Sequence, residues 1–184
     1  MINENITKIV EEIRNVLSGI REEEILVLVD EILRARRVVT IGAGRVGLSC
    51  RAFSMRLAHL GLEAYNIGDS VVPATRKGDL IFVCSGSGET QTIVDLVGAG
   101  KSSGARIALI TGNPDSRMGR MADVIVELRA PSKTRQIMGF ESTQPMTSLN
   151  EQCLFVLCDA IVLVLMEKLG ETHETMWKRH SVLE

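Results

Sequence analysis

DLIFVCSGSGETQTIVDLVGAG, residues 79–100, decides the fold. It opens on a continuous apolar run bounded by a turn signal, and it closes with Ile93, Val94 and Val97 at helical spacing. The chain therefore goes strand, hydroxyl- and glycine-rich turn, helix. At such a junction the first backbone N–H groups of the helix point outward and the helix dipole favours negative charge. Gly86 and Gly88 let the backbone approach a ligand closely. Ser85, Ser87 and Thr90 add three hydroxyls, and a dianionic phosphate monoester is the ligand that best uses this many neutral donors. Taken alone, the same residues also suit an ordinary strand-to-helix loop with a Ser or Thr N-cap.

Working outward, the theme repeats. RRVVTIGAGRVGLSCRAFSMRLAHLG, residues 36–61, gives a β-branched run at 38–41, a glycine turn, and a helix closing near Gly61. Short strands follow around 65–67, 105–112 and 122–128. With the strand before SGSGET these make five. Strands this apolar, separated by helices, argue for an α/β fold with a five-stranded parallel sheet flanked by helices on both faces. Ligands in such folds collect outside the carboxyl ends of the strands, which places the turns at 42–47 and 85–90 in one pocket. Residues 2–35 read as two amphipathic helices forming an N-terminal arm, with Gly19 between them and no evident chemistry. The segment 130–146 is polar and long for a connection, the mark of a functional or interface loop. A helix spans 148–169, apolar all round and interrupted by Asp159, which suits burial in the core or at a subunit interface better than a membrane span. The expected organisation is one domain over 1–184: arm 1–35, α/β core 36–170, and helical tail 171–184.

Composition narrows the function classes. At 184 residues and 45% hydrophobic, the chain suits one domain with a real core. Its 21 basic and 23 acidic residues leave a net charge of −2 with no basic block, which disfavours nucleic acid and anionic membrane as partners. Cys50, Cys84, Cys153 and Cys158 fall in strand or helix patterns without a C-x-x-C pair, so free buried thiols in a reducing cytoplasm are expected. The start MINENITKIVEEI has no apolar core of a signal peptide.

GAGRVG invites a dinucleotide reading, but no acidic residue closes the second strand in the expected register, Glu63 being the nearest. SGSGET lacks the lysine of a P-loop. Arg45, at a strand-end turn, can reach a phosphate or a sugar hydroxyl, although an exposed arginine is an equally plain account. Glu151 begins an apolar helix, where the dipole alone favours an acid. His59 fits a satisfied core position, while His173 and His180 fall in a charged tail.

In combination, GAGRVG with RAFSMRLAHLG, SGSGET after a strand, QPMTSLNEQCLFVLCDA and the terminal KRHSVLE resemble the sugar isomerase (SIS) domain family, and within it the 6-phospho-3-hexuloisomerases. The resemblance covers nearly the whole chain. It implies a flavodoxin-like three-layer sandwich. It also implies a cofactor-free and metal-free isomerase interconverting 3-hexulose 6-phosphate and fructose 6-phosphate in the ribulose monophosphate pathway, and a homotetramer with active sites near subunit interfaces. Carried over by position, Ser85, Gly86, Ser87, Gly88, Glu89 and Thr90 would hold the phosphate, and Gly44 and Arg45 would border the sugar. Glu151 would be the catalytic base, with His59 and His180 as candidates for proton transfer, either one from a neighbouring subunit.

Three positions depart from the family pattern. Val46 replaces a serine, Thr147 a glycine, and Asn150 an aromatic residue. Two alternatives stay open on sequence alone: an aldose–ketose isomerase of the arabinose 5-phosphate type, and a phosphosugar-binding regulatory module without turnover.

Overall fold

The computed structural model describes residues 1–131 and 141–182. Two helices, α1 (Ile2–Leu17) and α2 (Glu22–Arg34), precede the alternation β1 (Val38–Ile41), α3 (Gly44–His59), β2 (Ala64–Asn66), β3 (Leu80–Cys84), α4 (Gln91–Ser102), β4 (Arg106–Thr111). The chain continues through α5 (Arg117–Met121), β5 (Val124–Glu127), α6 (Ser148–Leu169) and α7 (His173–Trp177). The five strands pair in the order β2-β1-β3-β4-β5, and every pairing is parallel. The expected α/β architecture is thus present. The five-residue α5 between β4 and β5 is an element the sequence pattern did not announce.

Alternation along each strand explains the two layers. Val38, Leu80, Phe82, Ala108 and Ile110 point into a core shared with α1, α2, α3 and α6, whereas Val39, Ile41, Ile81, Val83, Ile107 and Leu109 point into one shared with α4 and α5. Both faces are apolar because both are covered. The arm helices differ in how far they enter. α2 buries Ile25, Leu28, Val29 and Ile32, each contributing roughly 1.5–3 kcal/mol, while α1 buries Val16 and leaves Ile2, Ile6 and Val10 exposed. α2 is therefore part of the core, and α1 is held mainly through contacts with α6.

α6 is long and apolar enough by composition to cross a membrane, yet it packs along α3, α1 and α2. Leu149, Cys153, Leu154, Leu157, Cys158, Ile161 and Leu165 are buried, and Phe155, Val156 and Leu163 are exposed on its other side. Gly170, left-handed at φ 64°, ends it. All four cysteines are free and buried, as their apolar contexts led one to expect.

The strand order reverses between β1 and β3. β1 leads through α3 to β2 on one side, and β3 leads through α4 to β4 on the other. The turns that follow these two strands, 42–47 and 85–90, consequently splay apart over a crevice at the carboxyl edge of the sheet.

Candidate functional site

A cavity of about 480 Å³ occupies that crevice. Three helix N-termini meet at it. Ala43, Thr90 and Thr147, the residues that cap α3, α4 and α6, all line its wall. Each N-terminus carries unsatisfied amides and about half a positive charge, so their convergence suits the cavity to an anion without relying on several cationic side chains.

The 85–90 turn is built to present its backbone. Ser85 Oγ accepts from the Gly88 amide at 3.1 Å and Ser87 Oγ from the Glu89 amide at 3.2 Å, so both hydroxyls shape the loop while keeping a proton to donate. The Thr90 hydroxyl makes no cap bond to α4. Among the described residues, the amides of Gly86, Ser87 and Thr90 have no protein acceptor. Gly88 has φ +64°, and a Cβ there would lie 2.0 Å from Ser116 Oγ, so only glycine lets the turn lie against the start of α5.

Of the loop residues expected to hold phosphate, Ser85, Gly86, Ser87 and Thr90 line the cavity, but Gly88 and Glu89 do not. Glu89 faces the other way. Its carboxylate accepts from the Arg117 amide at 2.8 Å and Arg117 Nε at 2.5 Å, and Arg117 also donates to the Glu89 carbonyl. These hydrogen bonds from Arg117 hold the Glu89 carboxyl below its ordinary pKa. Glu89 braces the loop against α5.

Across the cavity, Glu151 sits one turn into α6, with its side chain 14% exposed. Thr147 donates to Oε1 at 2.8 Å. Arg45 Nη1, from the first turn of α3, lies 3.1 Å from Oε2 and donates to Ser148 Oγ at 3.2 Å. The Arg45–Oε2 contact is a charge contact rather than an aligned hydrogen bond, and among the described residues Oε2 accepts no hydrogen bond. A carboxylate fixed at one oxygen by a hydrogen bond, with the other paired only to an exposed arginine, is suited to taking a proton.

The wall opposite the phosphate loop is Pro145, Met146 and Thr147. It is anchored by a residue the sequence reading missed, Glu12 of α1. The Glu12 carboxylate accepts from Ser142 Oγ (2.7 Å), the Thr143 amide (2.9 Å) and hydroxyl (2.7 Å), and Gln144 Nε2 (3.0 Å). Burial raises its pKa, but the four hydrogen bonds outweigh that and bring it down to about 2. One of two adjacent glutamates, Glu11 and Glu12, on an amphipathic helix carries no signal for such a role. Met146, at φ 57°, is the non-glycine residue with positive φ among the described residues, and it stands 89% exposed at the cavity mouth. Most of the expected 130–146 loop, residues 132–140, lies outside the described residues.

His59 and His180 are elsewhere. They meet each other with ring centroids 5.3 Å apart in a second cavity of about 350 Å³, together with Arg56, Asp159 and Trp177. Arg45 and His59 stand at opposite ends of α3, 14 residues apart, which at the helical rise is about 21 Å. The tail is tied there by Arg179, which donates to the His59 carbonyl at 3.0 Å and pairs with Glu171 at 2.8 Å. Within one chain, then, the structure joins Gly44, Arg45, Ser85, Gly86, Ser87, Thr90 and Glu151, and it sets both histidines apart. Among the described residues, no group of three His, Cys, Asp or Glu side chains is arranged to hold a metal ion.

The SIS domain family pattern matches residues 31–156. The chain is 39% identical over 181 residues to the 3-hexulose-6-phosphate isomerase of Bacillus subtilis (strain 168), spanning 98% of each chain. It is 38% identical over 183 residues to the Mycobacterium gastri protein of the same name, spanning 100% of this chain and 92% of that one. The crystal structure of a Methanococcus jannaschii protein, for which the molecular function of 3-hexulose-6-phosphate isomerase was inferred, superposes with a TM-score of 0.85. The two are 25% identical, covering 98% of this chain and 99% of that chain.

Proposed function

This chain belongs to the SIS domain family, and we propose that it is a phosphosugar isomerase interconverting 3-hexulose 6-phosphate and fructose 6-phosphate. The relatives of that name, matched over nearly their whole length, support the substrate. The observation that carries the chemistry is the pairing, in one cavity, of three helix N-termini with a buried carboxylate whose Oε2 accepts no hydrogen bond among the described residues and faces Arg45.

The phosphate lies at the 85–90 turn, where the amides of Gly86, Ser87 and Thr90 and the hydroxyls of Ser85, Ser87 and Thr90 converge. Its binding energy holds the carbon chain in register with Glu151. From the hexulose, Oε2 takes the proton at C2 and electrons shift to the C3 carbonyl, giving a 2,3-enediol. The proton returned to C3 leaves the carbonyl at C2. One carboxylate reaching both carbons performs both transfers, an acid–base contribution of about 10²–10⁴-fold. Arg45, beside Glu151 and 60% exposed, is placed to stabilise the enediolate oxygen. The protons on the sugar oxygens are left to a second group, and the histidines reach it from a neighbouring subunit.

Exposed apolar faces support that last role. The exposed Phe155, Val156 and Leu163 of α6 and Ile2, Ile6 and Val10 of α1 are apolar faces that a homotetramer would cover. Free buried thiols suit a cytoplasmic setting.

The test is NMR of fructose 6-phosphate with the protein in deuterated water. Deuterium at C3 with a 3-ketose appearing is the expected result. Deuterium at C1 instead would assign an aldose–ketose isomerase, and binding without exchange at either carbon would assign a sensor.

A further inference from the structure

We propose that Asn150 is a substrate-recognition residue, its side-chain amide donating to an acceptor oxygen of the bound sugar phosphate; this rests on the phosphosugar reading above. Asn150 is the third residue of α6, is 3% exposed, and lines the same cavity as Ser85 and Glu151. Its Nδ2 is buried and has no hydrogen-bond acceptor among the described residues. An amide taken from water and left unpaired destabilises a folded chain, and native interiors seldom keep one unless something else accepts from it.

The surroundings point to the ligand. A Cβ built on Gly86 would come 3.1 Å from Asn150 Oδ1 and 3.4 Å from Nδ2, so the amide rests directly against the backbone of the 85–90 turn. The next residue is Glu151, whose Oε2 is paired with Arg45 but accepts no hydrogen bond among the described residues, just as Asn150 Nδ2 donates none. Consecutive positions in the first turn of α6 thus offer the cavity one acceptor held only by a charge contact and one unused donor. The two divide the work: the carboxylate exchanges protons with carbon, and the amide holds an oxygen, either of the phosphate or of a sugar hydroxyl, at a fixed distance from that carboxylate.

The experiment compares Asn150→Leu and Asn150→Asp with the wild type in steady-state kinetics on 3-hexulose 6-phosphate, and in calorimetric binding of fructose 6-phosphate and inorganic phosphate. KM and the fructose 6-phosphate Kd are expected to rise about tenfold or more, with kcat changed less than about threefold. Asp should be worse than Leu, because it sets an acceptor against an acceptor. Weakened inorganic phosphate binding assigns the oxygen to the phosphate; unchanged phosphate binding with weakened fructose 6-phosphate binding assigns it to a hydroxyl. If Asn150→Leu does not fold, Asn150→Ser shortens the side chain and removes the donor's reach with a smaller change in packing. Affinities within about twofold of the wild type in the folded variants overturn the proposal. The binding measurements need no turnover. A protein that fails to exchange at C3 yet loses fructose 6-phosphate affinity with Asn150 would therefore end the isomerase reading and leave this one standing.

Discussion

The two ends of α3 make unlike cavities. At its N-terminus, Arg45 meets Glu151 and the 85–90 turn, and partial positive charge from three helices gathers on one crevice. At its C-terminus, His59 meets His180, Trp177 and Asp159, far from any phosphate-binding turn. One cavity has the proposed phosphate turn and Glu151; the other has the imidazoles. About 21 Å of helix separates them, a span no side-chain rotation crosses. Under the proposed mechanism this division would leave a lone chain incomplete and would give self-association a chemical purpose, with a neighbour's second cavity closing over the first.

The sharpest way to break this contrast is at the base. Glu151→Gln keeps the shape and the Thr147 contact but cannot take a proton, so kcat should fall by about 10²–10⁴-fold with fructose 6-phosphate affinity nearly kept. Normal turnover would remove Glu151 from the mechanism.

A smaller loss, about 10²-fold, is expected for His180→Ala. Mixing decides where the histidine acts. Glu151→Gln chains refolded together with His180→Ala chains should regain activity that neither has alone, since each mixed interface can pair one intact acid with one intact imidazole. A fully active His180→Ala protein would deny the second cavity any part in the reaction. Loss of activity without recovery on mixing would confine the effect to its own chain, through the tail that Arg179 ties to His59 and Glu171.

The gentlest test concerns the wall of the first cavity. Glu12→Gln replaces charge-assisted hydrogen bonds to Ser142, Thr143 and Gln144 with weaker ones, and about 1–2 kcal/mol of stability should be lost, measured by urea unfolding. The pH dependence has a definite sign. The folded pKa of about 2 lies below the ordinary 4.5, so this stabilisation is complete above 4.5 and disappears as pH falls from 4.5 towards 2. The Gln variant should lose the part of the acid-induced destabilisation that falls in that window. Its kcat/KM at neutral pH should drop only a few fold, because Pro145 to Thr147 lose anchorage and not chemistry.

Much of this molecule was legible in the chain itself. The apolar run before SGSGET, the β-branched run before GAGRVG and the 3.6-residue periods between strands carry local signals that hydrophobic patterning exposes directly, and the parallel sheet follows. The 85–90 turn was legible for the same reason, since its amides and hydroxyls come from consecutive residues. Glu89 was misleading because it belongs to the same run, and only the packing of α5 turns its carboxylate towards Arg117. Glu12 was invisible because its partners lie some 130 residues away.

Sequence by itself determined the five strands, every helix but the short α5, and the family. Tertiary structure alone decided which side chains share a cavity: that Arg45 reaches Glu151 across more than a hundred residues, that the Asn150 amide is buried against Gly86 without an acceptor, and that His59 is carried away from Arg45 by the helix that joins them. The reason is physical. Secondary structure follows from contacts a few residues apart, whereas a site is assembled by loop ends and helix termini that only the packing of the whole sheet brings together.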